Sequence, residues 1–185
     1  KAGNERSPLI FCSTSKITFA GSGVSALGAC SENIQAITKY FFANIISFDK
    51  LNQLRHVRFL KHEGGISEHM KKHAKILAPK FKTVLYTLKE DLGNCGEIAH
   101  WTTPKGGYFI SLYTMKGCAK RVVSLCKEYG VTLTGAGAAF PYGLDPDDSH
   151  IRIAPTFPSL SDLKTAARLM CIATRLATVE KLLNK

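Results

Sequence analysis

The sequence predicts an α/β fold in which two short strands and three helices are followed by a smaller α+β region. Two apolar runs, residues 9–12 and 24–29, are separated by a polar, Gly-rich bend. Apolar residues then recur at helical spacing as far as Leu88, and beyond Gly96 the pattern changes to that of short strands between helices. With 45% apolar residues in 185, the chain is large and apolar enough to form a core.

The first apolar run is predicted to be a buried strand that ends in hydroxyl residues and Lys16. If the two runs pair, the Lys16 amine lies at the mouth of a sheet, beside hydroxyl groups and the accessible N–H groups of a loop containing Gly21 and Gly23. Such groups can hold an anion next to an amine nucleophile. The local pattern is equally typical of a solvated turn lysine, so it leaves both interpretations open.

Three helices are expected next. The first covers residues 31–44 with Ser31 as its N-cap, and the second covers residues 49–59. Two glycines separate them from a third helix over residues 66–88, whose apolar side chains, including Ile76, should face inward. Pro79 should bend this helix because proline removes one backbone hydrogen bond.

The remainder of the chain predicts a small α+β domain with short strands and two helices. Ser159, followed by Asp162, is the expected cap of the last helix. The predicted elements are strands over residues 99–102, 107–113, 131–133 and 150–154, and helices over 118–129 and from 159 onward.

Composition and charge narrow the classes of function. The net charge of +11 comes from 25 scattered basic residues, and the densest cluster, residues 61–82, has the spacing of a solvated helix face rather than of a nucleic-acid site. No apolar run has membrane-spanning length, and no signal peptide is recognised at the start. Six cysteines form no C-x-x-C pair and lie mostly in apolar runs, as reduced core thiols do. These features predict a cytoplasmic protein.

Arg152 is a candidate anion-binding residue. It lies in the middle of an apolar strand, and a buried guanidinium needs an anionic partner, for which a planar carboxylate is the best geometric match. A structural ion pair with a nearby aspartate (Asp145, Asp147 or Asp148) or a solvated position on an edge strand would also explain it. His69 and His73 have the i, i+4 spacing of metal ligands, but no third ligand is evident, so no metal site is predicted.

Six segments in order resemble the C-terminal part of pyridoxal-phosphate-dependent fold type I aminotransferases. The similarity is to the branch often labelled MocR-like, whose members include aspartate aminotransferases. Because the segments follow the family's order over nearly the whole chain, they are more specific together than any one motif. They are residues 13–24 (STSKITFAGSGV), 50–59 (KLNQLRHVRF), 69–74 (HMKKHA), 101–112 (WTTPKGGYFISL), 140–143 (FPYG) and 150–160 (HIRIAPTFPSL).

The resemblance implies roles for individual residues. Lys16 resembles the lysine that forms a Schiff base with the cofactor, pyridoxal 5'-phosphate. Ser13 and Ser15 resemble hydroxyls that contact the cofactor phosphate, and Arg152 resembles the arginine that binds the α-carboxylate of the substrate. The commoner aminotransferases also have a phosphate-binding arginine seven or eight residues after the lysine. Here those positions are glycine and valine, as in the branch resembled, so the phosphate would rely on loop N–H groups and hydroxyls, including Ser22.

The resemblance also implies a domain organisation. Residues 1–50 would be the end of the large cofactor-binding domain, residues 51–92 interdomain helices, and residues 93–185 the small C-terminal α+β domain. In this family, the aspartate on the pyridine nitrogen, the aromatic residue on the ring and a Gly-rich phosphate loop lie upstream of the lysine. We therefore expect the missing N-terminal part of the same protein, and a homodimer, to complete the site, and we expect this segment alone to be inactive.

The function that the resemblance implies is amino-group transfer in amino-acid metabolism. The substrates would be an amino acid, with aspartate as the best candidate, and a 2-oxo acid such as 2-oxoglutarate. Two alternatives remain open at this point. The chain could belong to the effector-sensing domain of a transcription regulator, or it could be a catalytically inactive remnant.

Overall fold

The computed structural model describes residues 3–4 and 6–184, and the chain divides into two compact units, Lys1–Ala74 and Lys75–Lys185. Residues 1 and 185, which limit the predicted domains, lie outside the described residues. The division falls within the predicted interdomain helices, and the predicted boundaries at residues 50 and 92 stay predictions. None of the described helices is both long and apolar enough to cross a lipid bilayer.

The first unit begins with a β-hairpin. Strands β1 (Ile10–Ser13) and β2 (Ser25–Gly28) are antiparallel, with Ser13 opposite Ser25, so the two apolar runs pair, which the sequence alone had left open. The predicted burial of the first run is wrong for this chain, because all four residues of β1 are exposed and Phe11 retains 74% of its surface. A two-stranded hairpin has no further strand to cover its edges and little to cover its faces.

Two helices complete most of the first unit. Helix α1 (Ser31–Asn44) begins at the residue predicted as its cap; the N-cap is Cys30, which makes no side-chain capping bond, and no residue of α1 is buried. Helix α2 (Lys50–His62) begins one residue later than predicted because Asp49 is its N-cap. The Asp49 carboxylate accepts a hydrogen bond from the Asn52 N–H (2.9 Å), which satisfies a backbone donor that the helix leaves free.

Helix α3 (Ile66–Leu92) runs past Pro79 and ends four residues beyond its predicted end. It follows Gly64 and Gly65, whose positive φ angles of 79° and 97° allow the sharp turn out of α2. Its second half carries side chains into the core of the second unit, where Val84 and Leu88 are almost fully buried. Ile76 was expected to face inward, but 63% of it is exposed.

An antiparallel sheet organises the second unit. Its strands are β3 (Ala99–Trp101), β4 (Ile110–Thr114) and β5 (His150–Ile153), in the order β3-β4-β5. The strand predicted over residues 131–133 is wrong. The Val131 N–H donates to the Cys126 carbonyl oxygen (2.8 Å) and so closes the end of the preceding helix. Residues 131–133 form no strand.

The core lies between this sheet and three helices: the second half of α3, α4 (Ala119–Glu128) and α5 (Leu160–Leu183). Alternation along β4 buries Ile110 and Leu112 completely, and each such side chain contributes about 1.5–3 kcal/mol to folding. Ser159 caps α5 by accepting a hydrogen bond from the Asp162 N–H (3.2 Å), as predicted. The other fully or nearly fully buried side chains of this core include Leu92, Val122, Cys126, Ile151, Met170 and Cys171.

The buried cysteines of this core are expected to resist alkylation. All six cysteines are free thiols, and burial raises the pKa of Cys126 to about 11 and that of Cys171 to about 12. At about pH 8 the thiolate fraction of Cys126 is then about 100-fold lower than for an ordinary thiol, because each pKa unit is a factor of ten. In native protein, iodoacetamide should label the half-buried Cys95 well before either of these residues, as read by peptide mass spectrometry. Labelling of Cys126 at the rate seen in denaturant would contradict the packing.

Candidate active site

Lys16 lies in a single helical turn that leaves β1. The Thr14 carbonyl oxygen accepts hydrogen bonds from the N–H groups of Ile17 (2.9 Å) and Thr18 (3.0 Å). Thr14 also ties the turn to the return strand, since its N–H donates to the Val24 carbonyl (2.8 Å) and its hydroxyl accepts from the Val24 N–H (2.9 Å). Residues 14–18, called the lysine turn below, therefore have a fixed backbone, while the Lys16 side chain is exposed.

Two of the predicted phosphate-binding hydroxyls meet beside Lys16. The Ser13 hydroxyl donates to the Ser15 hydroxyl (3.0 Å) and accepts from the Ser15 N–H (3.2 Å). Both side chains are exposed, so their hydroxyls are accessible to a ligand. Two hydroxyl donors next to an amine form a donor set that fits a phosphate attached to an aldehyde.

The third predicted hydroxyl, that of Ser22, lies in the loop that packs against the lysine turn. A side chain at Gly23 would place its Cβ 3.1 Å from the Cα, Cβ and backbone nitrogen of Ser15, so this close approach depends on glycine. The Ser22 carbonyl accepts a hydrogen bond from the Asn52 side chain (2.9 Å), which connects the loop to α2. The structure thus gathers Ser13, Ser15, Lys16 and the loop of Ser22 within the first unit.

Arg152 lies in the second unit, in the middle of β5 and opposite Ser111. Its guanidinium carbon is 4.7 Å from the centre of the Phe109 ring, a cation–π contact. Its Nε is buried and has no hydrogen-bond partner among residues 3–4 and 6–184. The group therefore has a buried donor free to bind an acceptor.

The structural ion pair considered for Arg152 is not formed within the described part of the chain. The Asp145 carboxylate accepts three backbone N–H bonds instead. Asp147 pairs with Lys116 (3.1 Å), and Asp148 accepts from the backbone N–H of Lys120 (3.1 Å).

A cavity of about 140 Å³ adjoins Arg152 in the second unit. Its walls are mostly apolar, and they come from α3, α5, β5 and the segment over residues 131–134. A buried donor left unpaired costs about 1–3 kcal/mol. An acceptor that enters this cavity and bonds to the Arg152 side chain would remove that cost.

Asp145 shapes the loop that leads into β5. Burial raises the pKa of its carboxyl, but hydrogen bonds from the N–H groups of His150 (2.8 Å), Ser149 (2.8 Å) and Asp147 (3.0 Å) outweigh burial, and the pKa lies below its usual value of 3.8. These bonds fix the start of the strand that carries Arg152.

We expect Asp145→Ala to lower the free energy of unfolding by about 1–3 kcal/mol at neutral pH, because the bonds to the charged carboxylate are lost. The folded pKa is depressed, so this contribution is present above the ordinary pKa and is lost as pH falls through the depressed value. Urea unfolding followed by the fluorescence of Trp101, the single tryptophan, measures it. The variant should converge with the wild type toward acid pH, and Asp145→Asn, which keeps one acceptor oxygen, should lie between them. Equal stability of all three at neutral pH would contradict this role.

Two histidines absent from the predicted site bind the lysine turn. The side chain of His56, from α2, contacts the hydroxyls of Thr14 and Thr18, and that of His69, from α3, contacts the Ile17 carbonyl. The i, i+4 and i, i+7 spacing of Asn52, His56 and Phe59 places them on one face of α2, which was a detectable signal. The partners of that face depend on long-range contacts, which spacing does not reveal.

Comparison with known proteins identifies the family. The family model described as aspartate amino-transferase matches residues 1–185. A Mycolicibacterium smegmatis protein with an aminotransferase designation is 50% identical, and an aspartate aminotransferase of Corynebacterium glutamicum is 42% identical, each over 99% of this chain. The chain spans 42% of the length of each of these relatives.

Solved structures agree with this result. An aspartate transaminase from Corynebacterium glutamicum matches with a TM-score of 0.82 and 42% identity, over 92% of this chain and 40% of that one. The fold alone is shared with the α-aminoadipate aminotransferase of Thermus thermophilus in complex with N-(5'-phosphopyridoxyl)-L-leucine. That match has a TM-score of 0.75 and 20% identity, over 92% of this chain and 42% of that one. Because the family model matches all 185 residues of this chain and two relatives are more than 40% identical to it, we conclude that the chain belongs to the aspartate aminotransferase family.

Proposed function

We propose that the complete protein is a pyridoxal-phosphate-dependent aminotransferase that transfers an amino group between an amino acid and a 2-oxo acid. The observation that carries this proposal is the buried, unpartnered Nε of Arg152, a site for the carboxylate that both substrates share. Aspartate and 2-oxoglutarate are the proposed substrates, because the relative from Corynebacterium glutamicum is an aspartate aminotransferase.

The cofactor, when bound, would supply an electron sink for the bond broken at the substrate Cα. Support for this cofactor comes from the pyridoxyl group held by the aminotransferase of Thermus thermophilus. In this chain, the Lys16 amine would hold the cofactor through its aldehyde carbon, with loss of water, and would move a proton at the substrate Cα. The hydroxyls of Ser13, Ser15 and Ser22 would donate to the phosphate.

Arg152 would orient the substrate by binding its carboxylate. A guanidinium presents parallel N–H groups that match the two oxygens of a carboxylate, and the contact with Phe109 limits the rotation of the side chain. The apolar walls of the adjoining cavity would strengthen that ion pair by excluding water. Holding the substrate by its carboxylate limits the orientations of the bond to be broken.

The complete protein is proposed to act in the cytoplasm as a homodimer that includes an N-terminal part of the same protein. The chain spans well under half of its relatives, and this segment alone is proposed to be inactive. The transcription-regulator and inactive-remnant alternatives gain no support from these relatives, which carry aminotransferase names.

Borohydride trapping on the full-length protein tests the proposal. Purified protein is incubated with pyridoxal 5'-phosphate, reduced with borohydride and digested, and mass spectrometry locates the phosphopyridoxyl group. We expect the adduct on Lys16, together with oxaloacetate formation from aspartate and 2-oxoglutarate. An adduct on another lysine, or none, would refute the assigned role of Lys16. An adduct on Lys16 with no transfer from aspartate would refute the substrate pair alone.

A further inference from the structure

We propose that His69 is a positioning residue for Lys16. It binds the lysine turn from α3 through the Ile17 carbonyl, while His56 binds the hydroxyls of Thr14 and Thr18 from α2. The proposal rests on the proposed function of Lys16 as the residue that bonds to the cofactor. Its structural basis, the contact between an imidazole and the turn, is independent of that function.

The His69 ring is buried and donates to the turn. Its Nε2 is 2.5 Å from the Ile17 carbonyl oxygen, and because a carbonyl only accepts, Nε2 must carry the hydrogen. The Nδ1 is buried and has no hydrogen-bond partner in the described part of the chain, and the nearest carboxylate oxygen, on Glu63, is 3.9 Å away. Nε2 is therefore the ring nitrogen with a close partner, and that partner belongs to the lysine turn.

Aromatic neighbours hold the His69 ring in place. Its centroid lies 5.1 Å from that of Phe59 and 4.6 Å from that of His73, both in edge arrangements. The His69 residue is 8% exposed, so water has little access to compete for the bond. A side chain fixed by packing and aimed at one backbone oxygen has the form of a support for a neighbouring residue.

The His56 ring also binds the lysine turn. Its Nδ1 lies 2.9 Å from the Asn52 carbonyl oxygen and must donate, so in the neutral ring Nε2 accepts. That Nε2 is 2.9 Å from the Thr18 hydroxyl and 3.3 Å from the Thr14 hydroxyl. The Thr18 hydroxyl also lies 3.1 Å from the Thr14 carbonyl oxygen, to which it can donate, whereas the Thr14 hydroxyl oxygen accepts from Val24 and has its hydrogen available for His56.

Together the two histidines bind the residues on both sides of Lys16 and leave its side chain exposed. A covalent step requires the amine within a few tenths of an ångström of a productive position, so the backbone that carries it must not drift. The lysine turn makes no sheet pair of its own, and the histidines supply lateral support that a hairpin loop lacks.

Matched amide variants of the full-length protein test this role. In His69→Gln the side-chain amide nitrogen reaches nearly as far as Nε2 and can still donate to the Ile17 carbonyl. The asparagine side chain of His69→Asn is too short to reach that carbonyl. His62→Ala, which removes a histidine whose side chain is 87% exposed, is the control. We expect the Asn variant to lose about tenfold in kcat with little change in KM, as the loss of one hydrogen bond permits. The Gln variant should recover most of this loss.

Hydrogen exchange of the peptide that contains residues 14–18 gives a readout independent of activity. Exchange of these amides should be up to about tenfold faster in His69→Asn than in the wild type, and near wild type in His69→Gln and His62→Ala. Equal exchange and equal kcat in the Asn and Gln variants would overturn the proposal, as would a loss confined to KM.

The two proposals fail in different ways. If borohydride trapping of the wild type places no adduct on Lys16, the proposed function of that lysine is refuted, and so is the positioning role toward it. The exchange contrast between the Asn and Gln variants would still establish whether His69 holds the turn. If Lys16 is trapped but the contrast is absent, the positioning role alone is refuted.

Discussion

Replacing Lys16 with alanine in the full-length protein is expected to abolish amino-group transfer and the borohydride adduct together. Proton transfer by a positioned side chain alone contributes about 10²–10⁴-fold to a rate, and the variant also loses the amine that we propose bonds to the cofactor. We expect at least that loss in kcat. Absorbance and mass spectrometry after reduction follow the bond, and a coupled oxaloacetate assay follows the transfer.

Two further variants separate the chemistry of Lys16 from its charge. Lys16→Arg keeps a cation beside Ser13 and Ser15, but a guanidinium does not lose its proton and cannot attack an aldehyde. It should be as inactive as the alanine variant. Lys71→Ala removes a lysine of the same unit whose side chain is 69% exposed, and it should retain wild-type activity. Residual adduct formation in Lys16→Arg would point to another lysine.

Truncating Arg152 is expected to give the second largest loss. Removing one partner of a buried, hydrogen-bonded charge pair costs about 2–5 kcal/mol, which corresponds to about 30- to 5,000-fold in kcat/KM for a carboxylate substrate. Arg152→Lys should recover little, because an ammonium cannot bind both oxygens of a carboxylate in one plane. Arg168→Lys, in an exposed position on α5, is the matched control.

The stability of the Arg152 variants should change in the opposite direction to activity. The unpaired Nε is a cost to the unliganded fold, so Arg152→Leu is expected to keep or raise the free energy of unfolding, by up to about 1 kcal/mol. Urea unfolding of the wild type and the variant measures the difference. The borohydride adduct on Lys16 should be unchanged in both. A loss of stability that matches the loss of activity would assign Arg152 to the fold rather than to the substrate.

Local signals in the sequence predicted local structure well. The helix that follows Ser159 was predicted correctly because Ser159 and Asp162, three residues apart, mark its cap and first turn. Two apolar runs around a Gly-rich bend indicated the two strands of the hairpin but left their pairing open. The strand expected over residues 131–133 was wrong because the Val131 N–H bonds to the Cys126 carbonyl at the end of the preceding helix and not to a neighbouring strand.

Burial was harder to predict than element type. An apolar run predicts a strand, but whether β1 is covered depends on what packs against it, and Ile76 on α3 shows the same problem within a helix. The contact between His69 and Ile17 joins residues 52 positions apart, which no local pattern encodes. The roles of Lys16 and Arg152 were predicted from the collinear resemblance, and they remain predictions.

The close packing at Gly23 limits which residues this position can accept. In the resemblance described above, the commoner aminotransferases have an arginine at this position or the next. Here any Cβ would have to displace Ser15 by a few tenths of an ångström, and with it the partner of the Ser13 hydroxyl. A side chain at position 23 is therefore coupled to the serine pair, because accommodating it requires Ser15 to shift and the Ser13–Ser15 hydrogen bond to adjust with it.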